Sequence, residues 1–209
     1  MCRYICAELK FMQLKIETFS TPLSYSDYKQ LLSEENILTM PEHLQAYTRL
    51  NAQRMSRWEK TYQPSMEIEK LDFNHHEPLR SYIITEPWCG DAAHCIPAIH
   101  KLLGITKGMM APIFLLRDQN LELMDNFLTL GKRSIPILLI TDNRHHLLGV
   151  WGPRPSAAQE LVDRAKQSGD ADGRWKEELQ VWYNHNKQVS LESEYAALIK
   201  HCHDVSKNC

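Results

Sequence analysis

The sequence predicts an α/β fold: a central mixed four-stranded sheet flanked by helices, with extra N- and C-terminal helices. Three observations carry this. Ser81–Thr85, Ala111–Arg117 and Ser134–Thr141 are short apolar runs rich in β-formers, the length of buried strands. A helical stretch from Gly90 to Leu103 separates the first two. Strand, helix, strand at that spacing calls for a right-handed crossover and a parallel pair.

In chain order, Ser26 to Ser33 reads as a short helix, followed by a loop ending at Met40-Pro41. From Glu42 to about Tyr62, Leu44, Tyr47, Asn51, Met55, Trp58 and Tyr62 recur at helical spacing, as on a helix packed against a sheet. Residues 63–78 are turn-rich, and Gly104 and Gly108 close the helix that begins at Gly90. Leu121–Leu130 reads as a short helix, and Asp142–His145 as the hairpin turn before a last strand, His146–Val150. Helices follow at Ser156–Gln167, with Ser156 as its cap, at Arg174–Asn186 and at Leu191–His201. Trp175, Leu179 and Trp182 share one face of the second, which fits packing on the parent domain. The expected layout is a helical extension over residues 1–78, a core over 79–168 and a second helical extension over 169–209, in one compact domain.

Composition narrows the function. With 209 residues and 43% hydrophobic content, the chain can bury a real core. A net charge of -2, from 24 basic and 26 acidic residues, offers no field for nucleic acid. No apolar run approaches the roughly 20 residues of a membrane helix. Glu8 and Lys10 interrupt the stretch a signal peptide would keep apolar, so a cytoplasmic location is expected; Met12 offers a later start that would make residues 1–11 an overextension. Cys2, Cys6, Cys89, Cys95, Cys202 and Cys209 are too sparse for a disulfide scaffold and fit reduced thiols.

Cys89 stands apart from the others. It follows a turn at Glu86-Pro87 and precedes a helix, a strand-to-helix junction where free amides and aligned peptide dipoles stabilise a thiolate. Such a setting lowers a cysteine pKa from about 8.5 to roughly 3.5–7.5, whereas the nearby charge of Asp91 acts in the opposite direction. Cys95 lies six residues on, about 9 Å along a helix and rotated away, too far for a disulfide with Cys89 unless the helix unwinds. It reads as a small buried hydrophobe.

Trp88-Cys89-Gly90, with Pro97 eight positions after the cysteine, resembles the active-site helix of thioredoxins. Ser134-Ile135-Pro136 resembles their cis-proline turn, and Gly152, sixteen residues on, their next glycine. Within that family the chain looks like a bacterial subgroup carrying Trp-Cys-Gly-Asp (Trp88 to Asp91), Arg-Ser-Ile-Pro (Arg133 to Pro136) and Trp-Gly-Pro-Arg-Pro (Trp151 to Pro155). The resemblance implies a thioredoxin-like fold over about residues 79–168, a cis Ile135–Pro136 bond facing Cys89, and a groove for an extended chain. Two departures stand out: Ala92 occupies the place of the second thioredoxin cysteine, and Ile83 that of the buried carboxylate that helps deprotonate it. The losses agree with each other.

Metal binding is not expected. His75-His76 and His145-His146 are adjacent pairs whose side chains point apart, and Cys89, His94 and Cys95 lack zinc-site spacing. No cofactor is expected either. Two readings follow: a monothiol thiol–disulfide oxidoreductase with Cys89 as nucleophile and Trp88, Gly90, Asp91, Ile135 and Pro136 binding a protein or small disulfide or thiol, or a non-catalytic module that binds an extended peptide in the same groove.

Overall fold

The computed structural model describes residues 12–69, 78–169 and 173–207. Cys2, Cys6, Cys209, the alternative start before Met12, the His75-His76 pair and most of the turn-rich stretch lie outside them. Among the described residues the sheet has four strands, β1 (Arg80–Thr85), β2 (Ile113–Leu116), β3 (Ile137–Thr141) and β4 (Leu147–Trp151), in the order β2-β1-β3-β4. β1 pairs parallel with β2, Tyr82 opposite Ile113, and antiparallel with β3, Ile83 opposite Leu138. β3 pairs antiparallel with β4, with a register shift between Ile140 and Thr141. Both central strands are buried almost throughout, which is why each reads as an unbroken apolar run rather than an alternating one.

Eight of the helices are α1 (Tyr25–Gln30), α2 (Glu34–Thr39), α3 (Glu42–Thr61), α4 (Met66–Glu69), α5 (Gly90–Ile105), α6 (Leu121–Met124), α7 (Ser156–Gln167) and α8 (Trp175–Asn186); α9 (Val189–Ser206) ends the described chain. α5 supplies the crossover between β1 and β2 and packs against α3 and α9. Its residues from Ala92 to Ile99 are all buried. α9 lies on β4 so closely that a methyl group on Gly149 would stand 2.5 Å from Cys202 Sγ. The N-terminal segment also touches both sides of the sheet: Leu23 exchanges two backbone hydrogen bonds with Phe114 at β2, and Gln13 bridges His146 beside β4.

Four local expectations are corrected. The loop expected before Met40 contains α2, whose N-cap Ser33 accepts from Asn36 N, with Glu34 and Glu35 in the first turn complementing the dipole. Leu121–Leu130 holds only the single turn of α6 and a 3-10 turn at Asp125–Phe127. On α3 the buried stripe runs through Thr48, Asn51, Met55 and Trp58, while Tyr47 is 55% exposed; the Thr48 hydroxyl hides by donating to Leu44 O. Pro155, not Ser156, is the N-cap of α7, because both the amide and hydroxyl of Ser156 bond Glu194 of α9. No helix among the described residues is long and apolar enough to cross a membrane.

Candidate functional site

The end of β1 runs through Glu86-Pro87 to Cys89, the N-cap residue of α5. The N-terminal extension fixes this bend: the Tyr28 hydroxyl donates to Glu86 O at 3.2 Å, and Asn51 Nδ2 donates to Pro87 O at 3.0 Å. Cys89 N closes the turn on Glu86 O at 3.1 Å. Across from it the Ile135–Pro136 peptide is cis, as is Gly152–Pro153. The Cys89 thiol donates to Ile135 O at 3.3 Å, and its sulfur accepts from Ala92 N at 3.5 Å. Gly152 sits against the same turn, where any side-chain carbon would collide with Pro136 O.

Cys89 is therefore brought together with Ile135 and Pro136, and it is buried there, only 8% exposed. Burial, and secondarily the charge of Asp91, pushes its thiol up to about 12, against the helix amides and Arg154 that pull the other way. Desolvation outweighs the helix start. The bond to Ile135 O acts in the same sense, since only the protonated thiol can donate it.

Asp91 is tied down. Arg154 Nη2 reaches its Oδ2 at 2.6 Å and Tyr183 of α8 donates to Oδ1 at 2.7 Å; the Asp91 and Arg154 side chains are each 11% exposed. The carboxylate expected to contact substrate is thus committed to an internal ion pair that clasps the Trp151–Pro155 block and α8 to the start of α5. Cys95, also buried, lies 3.6 Å from the Tyr183 hydroxyl, and burial raises its thiol well above the ordinary value. Trp88 remains half-buried, with the Arg117 guanidinium 4.7 Å over its ring. Gly90 is half-buried beneath Arg54 of α3, whose Nη1 bonds Asn51 Oδ1 at 3.1 Å.

Sequence reasoning missed Arg154 and Tyr183 as partners of Asp91. A charged residue in the first turn of a buried helix implies a counter-ion, and the arginine of the third motif block was the available signal. His94, weighed in the sequence only as a zinc ligand, is a buried histidine that accepts from Trp58 Nε1 at 2.9 Å, bonds Gln180 Oε1 at 3.1 Å and stacks on Tyr183 at 4.2 Å. The indole only donates, so Nδ1 is the acceptor and the ring is neutral. Of the remaining histidines considered, His145 bonds the Tyr82 hydroxyl and His146 bonds Asp142, and no cluster of three His, Cys, Asp or Glu among the described residues is arranged to hold a metal ion.

Glu86 is a second unanticipated group. It is 6% exposed, accepts from Asp118 N at 2.8 Å, and burial pushes it from its ordinary 4.5 to about 7. Because the folded state holds the proton more tightly, stability from this group is full below pH 4.5 and is lost as pH rises through about 7. His94, lowered by burial from 6.5 to about 4, drifts oppositely: its contribution is present above pH 6.5 and lost as pH falls through 4. A difference measurement isolates the first. Glu86→Gln keeps an acceptor for Asp118 N and is expected to gain stability relative to the parent between pH 4.5 and 8 in urea unfolding; a pH-independent difference would show that Glu86 titrates normally.

The α/β sheet, the cis-proline turn and a cysteine at the first helix after β1 define a thioredoxin-like domain. A family model described as Thioredoxin matches residues 37–166, and the chain belongs to that family. A 1.5 Å crystal structure of a protein of unknown function, PA1234 from Pseudomonas aeruginosa, is similar in fold, with a TM-score of 0.50 at 17% identity over 83% of this chain and 96% of that one. An HIV epitope-scaffold structure aligns at 16% identity and a TM-score of 0.48, over 90% of this chain and 99% of that chain. No curated protein matches the chain.

Proposed function

We propose that this thioredoxin-family protein is a monothiol thiol–disulfide oxidoreductase acting through Cys89 in cell redox homeostasis. The observation that carries the reading is the seat of the sulfur: it lies at the start of α5, 3.5 Å from Ala92 N and 3.3 Å from the carbonyl preceding cis-Pro136. A disulfide laid along that turn meets the sulfur end on, its chain pairing with the backbone beside Pro136, with Trp88 and Gly90 flanking it. The Cys89 thiol gives up its proton and the thiolate attacks one sulfur of R–S–S–R′. The Cys89–S–S–R bond forms as the substrate disulfide breaks, and the thiol proton ends on the expelled R′–SH. An external thiol R″–SH then releases R–S–S–R″ and restores Cys89–SH.

Ala92 leaves no internal thiol for the second step. A sulfur with so high a pKa is also a poor leaving group, so the adduct is long-lived and turnover slow. The same burial favours one alternative, a non-catalytic module that binds extended peptides beside Pro136. Reduction of a small disulfide-bonded protein by an added monothiol separates them. The parent and Cys95→Ser are expected to accelerate it and Cys89→Ser to lose the acceleration; equal rates for all three would leave the binding module.

A further inference from the structure

We propose that Asn51 of α3, oriented by Arg54, is a positioning residue for exchange at Cys89: it holds the turn that carries Trp88 and Cys89 in the form that meets a substrate disulfide. The inference rests on the thiol-exchange reading of Cys89. Glu86-Pro87-Trp88-Cys89 is a β-turn closed by Cys89 N on Glu86 O at 3.1 Å, with Pro87 and Trp88 at its centre. Pro87 is buried, past the end of β1 and before the start of α5. The one hydrogen bond to its carbonyl among the described residues comes from Asn51 Nδ2, at 3.0 Å. Without that donor a buried backbone acceptor would be left unpaired, which is unfavourable.

The bond acts on the peptide that sets the course of the chain into Cys89. A β-turn with proline at its first central position has two forms, related by rotation of the central peptide, and the second form needs a positive φ at the next residue. Trp88 keeps a negative φ, so the turn stands in the first form. Rotation would swing Pro87 O away from Asn51 and reset the backbone of Trp88 and Cys89. The approach of the sulfur to Ile135 O, now 3.3 Å, would change with it.

Asn51 is itself held in one orientation. It is 1% exposed, and its Oδ1 accepts from Arg54 Nη1 at 3.1 Å. A guanidinium only donates, so Oδ1 faces Arg54 and Nδ2 is left for Pro87 O. The same Nη1 lies 3.5 Å from the place a methyl group on Gly90 would take. The pair therefore braces the chain on both sides of the sulfur, at Pro87 before it and at Gly90 after it. Because α3 packs along α5, the brace is anchored to the helix whose start it fixes.

The test compares Asn51→Asp, Arg54→Met, Arg54→Lys and Met55→Ala with the parent. Asn51→Asp keeps the shape and the Arg54 contact but replaces the donor facing Pro87 O with an acceptor, which favours the rotated peptide. Arg54→Met frees the Asn51 amide to turn over, and carries the same test should Asn51→Asp fail to fold. Met55, buried on the same helix, is the control for lost packing away from the turn. Adduct formation at Cys89 with a cysteine peptide in an activated disulfide is followed by mass. Asn51→Asp and Arg54→Met are expected to slow it about 10-fold or more, the effect of a reacting group out of place. Arg54→Lys, which keeps a donor for Asn51 Oδ1, should recover most of the rate, and Met55→Ala should lower stability with the rate of the folded protein unchanged. In isotope-labelled protein the amide signals of Trp88, Cys89 and Gly90 should be single in the parent and in Met55→Ala, and split or broadened in Asn51→Asp and Arg54→Met. Signals as sharp as the parent's in those two variants, or a loss of rate in Met55→Ala as large as theirs, would overturn the positioning role. Split signals with no adduct in the parent keep Asn51 as the brace of the turn and end the thiol-exchange reading; an adduct that forms equally fast in the parent, Asn51→Asp and Arg54→Met ends the positioning role only.

Discussion

Arg154→Ala is expected to lower stability by about 3–5 kcal/mol, the cost of leaving one partner of a buried ion pair uncompensated. Asp91 would keep its Tyr183 hydrogen bond but lose both guanidinium contacts, at 2.6 and 3.1 Å, in a place where water hardly reaches. The same change removes a positive charge that lowers the Cys89 pKa, so the sulfur should become still less reactive. Replacing both partners, Asp91→Asn with Arg154→Leu, should recover much of the stability, because no charge is then buried unpaired. Denaturant midpoints for the single and double variants check this. A single variant within about 1 kcal/mol of the parent would mean that the pair behaves as a surface bridge.

Ala92→Cys is expected to produce the largest gain in activity. Ala92 is fully buried, and its amide already points at the Cys89 sulfur from 3.5 Å, one turn along α5. A thiol there attacks the mixed disulfide within the same molecule, as a neighbour held in place rather than an external thiol that must diffuse in. The Cys89–S–S–R bond breaks, an internal disulfide forms between Cys89 and the introduced thiol, and R–SH leaves; an added thiol reductant then restores both thiols. Reduction of a disulfide-bonded protein should quicken about 10-fold or more, given the advantage of intramolecular attack. Oxidised protein should lose two hydrogens by mass. An unchanged rate together with an unchanged mass would show that the helix start does not carry exchange chemistry.

Much of the fold could be read from local pattern. The apolar runs at Ser81–Thr85 and Ser134–Thr141 were identifiable because both central strands are covered on two faces, and Gly90–Ile105 because a long helix declares its own period. The short α2 was not, since six residues give less than two turns of periodicity and only the Ser33 cap marks its start. At the site, the positions of Cys89 and Pro136 followed from motif spacing, but the state of the sulfur did not. The carbonyl that its thiol meets, Ile135 O, is 46 residues away, and the commitment of Asp91 comes from Arg154 and Tyr183, 63 and 92 residues away. Patterns along the chain report which face is apolar, and they carry no record of which distant polar group arrives there.

The most direct measurement is the pH dependence of mixed-disulfide formation at Cys89 with a small neutral disulfide, located by peptide mass and compared with Cys89→Ser. With the thiol pushed up to about 12, the adduct should form on Cys89 and its rate should rise about tenfold per pH unit from 7 to 9 without a plateau. Absence of an adduct on Cys89 across that range, or a plateau near neutral pH, would contradict a buried, protonated Cys89 acting as the exchanging sulfur.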